Sequence, residues 1–73
     1  MTTVYTTPNC VQCNQTKKYL DNKNVPYNTV DLSQDPVAMT MIQGLGFKSV
    51  PVVITATDKW AGFKLDKLSA LVA

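Results

Sequence analysis

The sequence predicts a small α/β domain in which three helices flank a four-stranded mixed sheet, in the order βαβαββα. Short β-branched and aromatic runs, typical of strands, alternate with stretches whose apolar residues recur every three or four positions, as in helices. The opening βαβ pattern favours parallel strands joined by a right-handed crossover, and a late short turn makes the last two strands antiparallel. With 73 residues, the chain is expected to form one domain, residues 1–73.

The first strand and the first helix are predicted near the N-terminus. The β-branched and aromatic run Val4–Thr6 indicates a strand. Asn9 is a suitable N-cap, so a helix is expected to begin near Cys10 or Val11 and to extend to Asn24. Its inward face is expected to consist of Cys13, Thr16 and Leu20.

The second strand and the second helix follow a proline. Pro26 ends the first helix, because the residue before proline disfavours the helical region. Tyr27–Asp31 is the second predicted strand, and Ser33 or Asp35 is expected to cap a helix that has Pro36 in its first turn. Its apolar stripe is expected to be Ala38, Met41, Ile42 and Leu45, and its positive-φ stop to be Gly44 and Gly46.

The last part of the chain predicts two strands and a helix. Val50–Thr55 is the most apolar run and indicates a buried strand. A turn at residues 56–58 leads to a short strand, Lys59–Ala61, which Gly62 ends. The closing helix is expected over about Leu65–Val72. Its buried side chains are expected to be Leu65, Leu68, Leu71 and Val72.

The composition excludes several classes of function. The chain has seven lysines, no arginine and five aspartates, with a formal net charge of +2 at pH 7. This bias is too small to indicate binding to nucleic acid or to a membrane surface. Histidine is absent, which excludes Ser-His and Cys-His catalysis and any histidine-containing zinc site. The nucleotide-binding glycine motifs are absent as well.

The cellular compartment is inferred from the N-terminus and the cysteines. Residues 1–7 have neither the basic region nor the apolar stretch that a secretory signal needs. No apolar run approaches the length of a transmembrane helix. We therefore expect a cytoplasmic protein. In the reducing cytosol, two cysteines are more often catalytic or metal-binding than a structural disulfide.

The pattern Cys10-Val11-Gln12-Cys13 follows a predicted strand and opens a predicted helix, and C-x-x-C in this setting is typical of a redox motif. At a helix N-terminus, free N–H groups and the helix dipole favour a thiolate, which lowers a cysteine pKa from about 8.5 to roughly 3.5–7.5. Cys10 is therefore the expected nucleophile. Cys13 lies one turn further on the same side, where it can resolve a mixed disulfide on Cys10.

Two other interpretations of the cysteine pair are weaker. A disulfide that closes so short a loop contributes only about 2 kcal/mol in the chain-entropy model, and it connects no distant segments. Half of a zinc ribbon would need a second cysteine pair, which the sequence lacks. We therefore predict thiol-disulfide chemistry with no bound metal.

Pro51 is a candidate for substrate binding. It stands at the first positions of a predicted strand, where a sheet accepts proline. It is either a strand-edge residue or a cis-proline beside a substrate groove. We expect that groove to include Val11, Gln12, Val50 and Pro51.

Trp60 is a candidate for protein docking. A single tryptophan is more often a large core residue than a functional one. With Ala61 and its other neighbours, Trp60 alternatively belongs to an exposed surface. The docking residues predicted on that basis are Trp60, Gly62 and Phe63.

These motifs resemble those of the NrdH-type redoxins, glutaredoxin-like proteins that behave like thioredoxins. The similarity extends over nearly the whole chain. The Cys-Val-Gln-Cys form and the Trp-x-Gly-Phe segment are characteristic together, whereas C-x-x-C alone is shared by many redox families. The segments that carry the resemblance are Val4–Thr6, Cys10–Cys13, Gly46-Phe47 before Val50–Val53, and Trp60–Phe63 with Asp66 after it.

The resemblance implies a thioredoxin-like fold with Cys10 as nucleophile, Cys13 as resolving thiol and Pro51 as a cis-proline. It implies that the protein binds no cofactor itself and receives electrons from NADPH through thioredoxin reductase. It further implies delivery of those electrons to the large subunit of a class Ib ribonucleotide reductase, whose active-site disulfide must be reduced in each turnover. We expect a monomer that binds neither nucleic acid nor membranes.

Three positions depart from the family pattern. Thr7 stands where the family commonly has lysine or arginine, so we expect the pKa of Cys10 to be lowered less than in the family. Ala61 replaces a usual serine, and Leu65 replaces a frequent proline. The loop between them and the start of the last helix are therefore expected to differ from the family.

Other functions remain open at this point. In a glutathione-dependent glutaredoxin, Gly-Gly and acidic residues hold the amino group of glutathione. The matching stretch here has Lys64, which repels an ammonium group, and Phe63, which is bulky where the backbone must approach. A dimeric iron-sulfur carrier would bind one cluster with thiolates from two chains. A pure interaction module is the least specific alternative.

Overall fold

The elements follow the predicted order in the computed structural model, which describes residues 2–72. Four strands and three helices are present in those residues. No helix among them is long and apolar enough to cross a membrane. The elements are β1 (Thr2–Thr6), α1 (Val11–Asn22), β2 (Tyr27–Asp31), α2 (Pro36–Gly44), β3 (Val52–Ile54), β4 (Lys59–Ala61) and α3 (Leu65–Ser69).

The strands form one mixed sheet in the order β2-β1-β3-β4. β1 is parallel to β2, with Val4 opposite Thr29, and antiparallel to β3, with Val4 opposite Val53. β4 is antiparallel to β3, with Trp60 opposite Val53. β1 therefore lies inside the sheet, and the chain that leaves its carboxyl end leads into α1.

Helices cover both faces of the sheet, because neighbouring residues of a strand point to opposite sides. Val53 packs in one core cluster with Leu20 of α1 and Leu68 of α3. Val52, its neighbour in β3, packs in a second cluster with Ile42 of α2. The domain thus has α1 and α3 on one face and α2 on the other, which confirms the predicted fold class.

The buried face of α1 is the predicted one. Cys13, Thr16 and Leu20 are all 0% exposed. The helix ends two residues before the predicted Asn24, which adopts a left-handed conformation with φ 58. Asparagine tolerates this conformation, and the following Val25 N–H then bonds to the Leu20 carbonyl at 3.0 Å.

α2 starts as predicted, and one of the two glycines predicted to stop it has the expected positive φ. Asp35 is the N-cap, and its carboxylate accepts a hydrogen bond from the Ala38 N–H at 3.0 Å. Pro36 occupies the first turn. Gly46 provides the positive-φ stop with φ 91, whereas Gly44 is the last helical residue, so the prediction for Gly44 was wrong.

The predicted stripe of α2 was partly wrong. Ile42 is buried, but Met41 and Leu45 are 43% and 44% exposed. Met39, which the prediction omitted, packs in the core instead. Because nearly every position of this helix is apolar or small, its sequence does not select a face. The contact with the sheet sets the rotation of the helix.

β3 is shorter than the predicted strand Val50–Thr55. It begins at Val52, because Pro51 has no N–H to donate to the ladder. It ends before Thr55, whose N–H bonds to the Asp58 carbonyl at 2.8 Å in the turn that leads to β4.

α3 is shorter than predicted, and half of its predicted core residues are exposed. Leu68 is fully buried and Leu71 packs against the same cluster. Leu65 and Val72 are 54% and 37% exposed, so their predicted burial was wrong. A helix of five residues makes less than two turns, so few of its positions can face the sheet.

A tyrosine at the start of β2 connects the sheet to α1. The Tyr27 hydroxyl donates a hydrogen bond to the Asp21 carboxylate at 2.8 Å. Partial burial, followed by the hydrogen bond to Asp21 and the negative charge of Asp21, raises the pKa of Tyr27 from 10.0 to about 12. This contact stabilises the folded state while the phenol keeps its proton.

We expect Tyr27→Phe to lower the free energy of unfolding by about 0.5–1.5 kcal/mol at neutral pH, the net contribution of one hydrogen bond. Since the pKa is raised on folding, this contribution is complete below about pH 10 and disappears as the pH rises through about 12. Urea unfolding at a series of pH values measures the difference from the wild type.

Tyr19→Phe is the matched control for this experiment. Tyr19 packs on the same core cluster as Tyr27, but its hydroxyl forms no hydrogen bond with residues 2–72. The role given to the hydrogen bond would be contradicted if the difference in the free energy of unfolding between wild type and Tyr27→Phe stayed constant up to about pH 12.

Candidate active site

The two cysteines lie at the N-terminus of α1. Cys10 and Cys13 are joined by a disulfide, with their Cα atoms 5.2 Å apart. Cys13 is fully buried, whereas Cys10 is half-buried. Cys10 is therefore the cysteine that a partner reaches first. Within residues 2–72, no three His, Cys, Asp or Glu side chains form a group that could hold a metal ion.

Cys10 is also the N-cap of α1, in place of the predicted Asn9. Its backbone is extended, with φ −102 and ψ 110, and its Sγ accepts a hydrogen bond from the Cys13 N–H at 3.1 Å. Asn9 has φ 60 and turns the chain from β1 into the helix. The predicted cap was wrong because the sulfur of Cys10 takes the N–H that a capping side chain normally accepts.

The loop between β4 and α3 contacts the other two segments of the site. The Gly62 N–H donates to the Pro51 carbonyl at 2.7 Å. The next amide, the Phe63 N–H, donates to Oε1 of Gln12 at 3.3 Å. Gly62 has φ 91, a conformation that favours glycine. The site therefore consists of three segments, residues 10–13, 50–51 and 61–63.

The predicted substrate residues lie in the first two of these segments. The Val50–Pro51 peptide bond is cis, as the resemblance implies. Pro51 is buried and Val50 is half-buried, whereas Gln12 is exposed and Val11 is 70% exposed. The role of these four residues in substrate binding stays a prediction.

Trp60 belongs to the core. Its side chain is 4% exposed and packs with Leu20 and Leu68, on the face that α1 and α3 cover. Its indole Nε1 is buried without a hydrogen-bond partner among residues 2–72. The predicted docking role therefore does not extend to the Trp60 side chain. Gly62 and Phe63 do lie at the site, and Phe63 is 36% exposed.

A groove of about 250 Å³ was missed by the sequence analysis. It is largely apolar and shares Val50 with the site. Its residues come from separate segments of the chain, so no local pattern reveals it. The groove residues include Thr7, Met39, Ile42, Phe47, Lys48 and Val50.

Comparison with known proteins agrees with this geometry. The glutaredoxin family model matches residues 2–59. The chain is 33% identical over 69 residues to the glutaredoxin-like protein NrdH of Escherichia coli K12, covering 94% of this chain and 85% of that protein. It is 30% identical over 71 residues to the glutaredoxin-like protein NrdH of Lactococcus lactis subsp. cremoris, covering 97% of this chain and 99% of that protein.

A solved structure extends the likeness to three dimensions. The chain superposes on the NrdH-redoxin from Escherichia coli with a TM-score of 0.94 at 33% identity. The match covers 96% of this chain and 92% of that chain. That protein is described as glutaredoxin-like with a thioredoxin-like activity profile.

The fold and the disulfide at the start of α1 define a redox protein of thioredoxin-like fold with a Cys-x-x-Cys pair. Its sequence and its structure agree on the family. The chain belongs to the glutaredoxin family, as an NrdH-type redoxin. This confirms the resemblance inferred from the motifs.

Two glycines allow a test of the site loop. Gly62 has φ 91, and a Cβ added to it would meet only Oε1 of Gln12, at 3.7 Å. The obstacle to a side chain at this position is therefore the backbone conformation and not a lack of space. Gly44 is helical, and a Cβ added there would meet nothing within 4 Å.

We expect Gly62→Ala to lower the free energy of unfolding by about 1–2 kcal/mol, the cost of a left-handed conformation for a residue with a side chain. Gly44→Ala is expected to leave it unchanged or to raise it by about 0.5–1 kcal/mol, because alanine is the better helix former. Urea unfolding measures both variants. Equal effects of the two substitutions would show that the conformation of Gly62 does not matter.

Proposed function

We propose that the protein is a cytoplasmic thiol-disulfide redox carrier that reduces protein disulfides with the Cys10–Cys13 dithiol. The observation that carries this proposal is the placement of the two cysteines. Cys10 lies at the N-terminus of α1 and is partly exposed, and Cys13 is buried one helical turn behind it. One sulfur is thus open to a partner, and the other is accessible only from within the protein.

The chemistry follows from this arrangement. In the reduced protein, the Cys10 thiolate attacks one sulfur of the partner's disulfide, and the other partner sulfur leaves as a thiolate and takes up a proton. A mixed disulfide joins Cys10 to the partner. The Cys13 thiol then loses its proton and attacks the Cys10 sulfur, which releases the second partner thiolate. The partner gains two electrons, and the carrier is left with its own disulfide.

A backbone N–H and two apolar side chains lie beside the Cys10 sulfur. The Cys13 N–H, which points at the Cys10 Sγ over 3.1 Å, favours a thiolate at that position. The exposed Val11 and the partly buried Val50 offer an apolar surface beside the sulfur.

The proposed electron source is NADPH, delivered through thioredoxin reductase, and the chain itself binds no cofactor. The thioredoxin-like activity profile of the Escherichia coli NrdH-redoxin supports this choice. Two features of the site loop disfavour glutathione. The Phe63 N–H is already bonded to Gln12, and Lys64 replaces the acidic residues that would bind an ammonium group.

The proposed electron acceptor is the large subunit of a class Ib ribonucleotide reductase. The resemblance to the NrdH-type redoxins supports this part of the proposal. An iron-sulfur carrier fits the geometry less well, because a cluster shared between two chains needs accessible thiolates. Cys13 is fully buried and would have to move to the surface to bind one.

A coupled assay of NADPH oxidation tests the electron source. The protein is supplied with a disulfide substrate and with thioredoxin reductase, or with glutathione and glutathione reductase. We expect turnover with thioredoxin reductase alone, because the loop lacks the charge that glutathione requires. Turnover only with glutathione would move the protein to the glutathione-dependent glutaredoxins. Activity with neither would refute the redox-carrier proposal.

A second experiment tests the roles of the two cysteines. Cys13→Ser leaves the nucleophile and removes the resolving thiol, so the mixed disulfide between Cys10 and the partner is expected to accumulate. Mass spectrometry under non-reducing conditions detects it. Cys10→Ser is the matched control and is expected to form no such species, since Cys13 is buried. Trapping through Cys13 in place of Cys10 would reverse the assignment.

A further inference from the structure

The contact between Gln12 and Phe63 differs from the other side-chain hydrogen bonds of the structure. It joins residues 51 positions apart in the sequence. The next longest separation among residues 2–72 is 10 positions, between Tyr27 and Lys17. Among residues 2–72, it is therefore the one side-chain hydrogen bond that connects segments far apart in the sequence. Its acceptor, Gln12, lies between the two cysteines.

The backbone of Gln12 is held in place by α1. It lies in the first turn of α1, and its carbonyl accepts a hydrogen bond from the Thr16 hydroxyl at 2.9 Å. Thr16 is fully buried. The Gln12 side chain itself is exposed, so its position depends on the hydrogen bond to Phe63 and not on packing.

Within residues 2–72, two hydrogen bonds from Gly62 and Phe63 connect this loop to the other segments of the site. The Gly62 N–H is bonded to the Pro51 carbonyl, and the Phe63 N–H is bonded to Gln12. Without the second bond, the loop keeps its connection to Pro51 but loses its connection to α1. The Phe63 backbone would then have no hydrogen bond to the segment that contains the two cysteines.

We propose that Gln12 is a positioning residue, whose side-chain carbonyl holds the Gly62–Phe63 loop against the start of α1 and so presents Phe63 to a protein partner beside Cys10. This rests on the proposed function, because it concerns the docking of the enzyme that reduces the Cys10–Cys13 disulfide. Gln12 takes no part in the transfer of electrons. Its effect is expected in protein docking and not in the reactivity of the sulfur.

Three variants separate these effects. Gln12→Met keeps the length of the side chain and removes the acceptor. Gln12→Glu keeps an acceptor oxygen at the same position. Gln15→Met is the matched control, because Gln15 is exposed on α1 and its side chain forms no hydrogen bond within residues 2–72. Each variant is assayed for NADPH oxidation with thioredoxin reductase and for reaction of its reduced form with dithionitrobenzoate, a small disulfide that needs no docking.

Gln12→Met is expected to raise the KM of the reductase for this protein about three- to tenfold, the effect of one neutral hydrogen bond. The kcat and the rate with dithionitrobenzoate are expected to stay at the wild-type level. Gln12→Glu keeps the acceptor for the Phe63 N–H, so its KM is expected to lie closer to the wild-type value than that of Gln12→Met. Gln15→Met is expected to leave all values unchanged. An unchanged KM in Gln12→Met would overturn the proposal, as would an equal loss of activity toward dithionitrobenzoate.

Amide hydrogen exchange provides a readout that needs no partner. In Gln12→Met, the Phe63 amide is expected to exchange faster than in the wild type, whereas the Gly62 amide stays protected by the Pro51 carbonyl. Unchanged exchange at Phe63 would overturn the proposal. If the wild type itself shows no turnover with thioredoxin reductase, the proposed function fails, and the exchange result still decides whether Gln12 holds the loop.

Discussion

The hydrogen bond from the Cys13 N–H to the Cys10 sulfur determines how the cysteine pair is placed at the start of α1. α1 starts at the residue after Cys10, and the bond holds the Cys10 sulfur at the end of the helix where N–H groups are free. The helix then continues with Thr16 and Leu20 buried on the same face as Cys13. One helix thus places Cys10 at its N-terminus and buries Cys13 on the face that packs in the core.

The position of β1 inside the sheet explains why this contact is held firmly. β1 pairs with β2 on one side and with β3 on the other. The short connection from β1 to α1 therefore starts from a strand that is fixed on both edges. β3 begins directly after Pro51, and β4 ends directly before Gly62. All three segments of the site are extensions of neighbouring strands, so the core limits their movement.

The sequence predicted the order of the elements and the cysteine pair because both depend on local patterns. The face of α1 was predictable, since Lys18 lies opposite the buried positions of that helix. The face of α2 was not, because that helix has no charged residue to mark its solvent side. Trp60 was ambiguous for a related reason, since one large residue in a strand of three does not show which face is covered. The bond between Gln12 and Phe63 depends on the tertiary structure alone.

The site must keep its structure when the disulfide between its two cysteines is reduced. The covalent link between Cys10 and Cys13 is absent in half of the cycle, so it cannot be the element that maintains the site. A disulfide across so short a loop also constrains the unfolded chain little. The hydrogen bonds at Cys10, Pro51 and Gln12 each have a backbone N–H as the donor, so none of the three donors belongs to a group that is oxidised or reduced. These bonds connect the three segments of the site without relying on the covalent link between the cysteines.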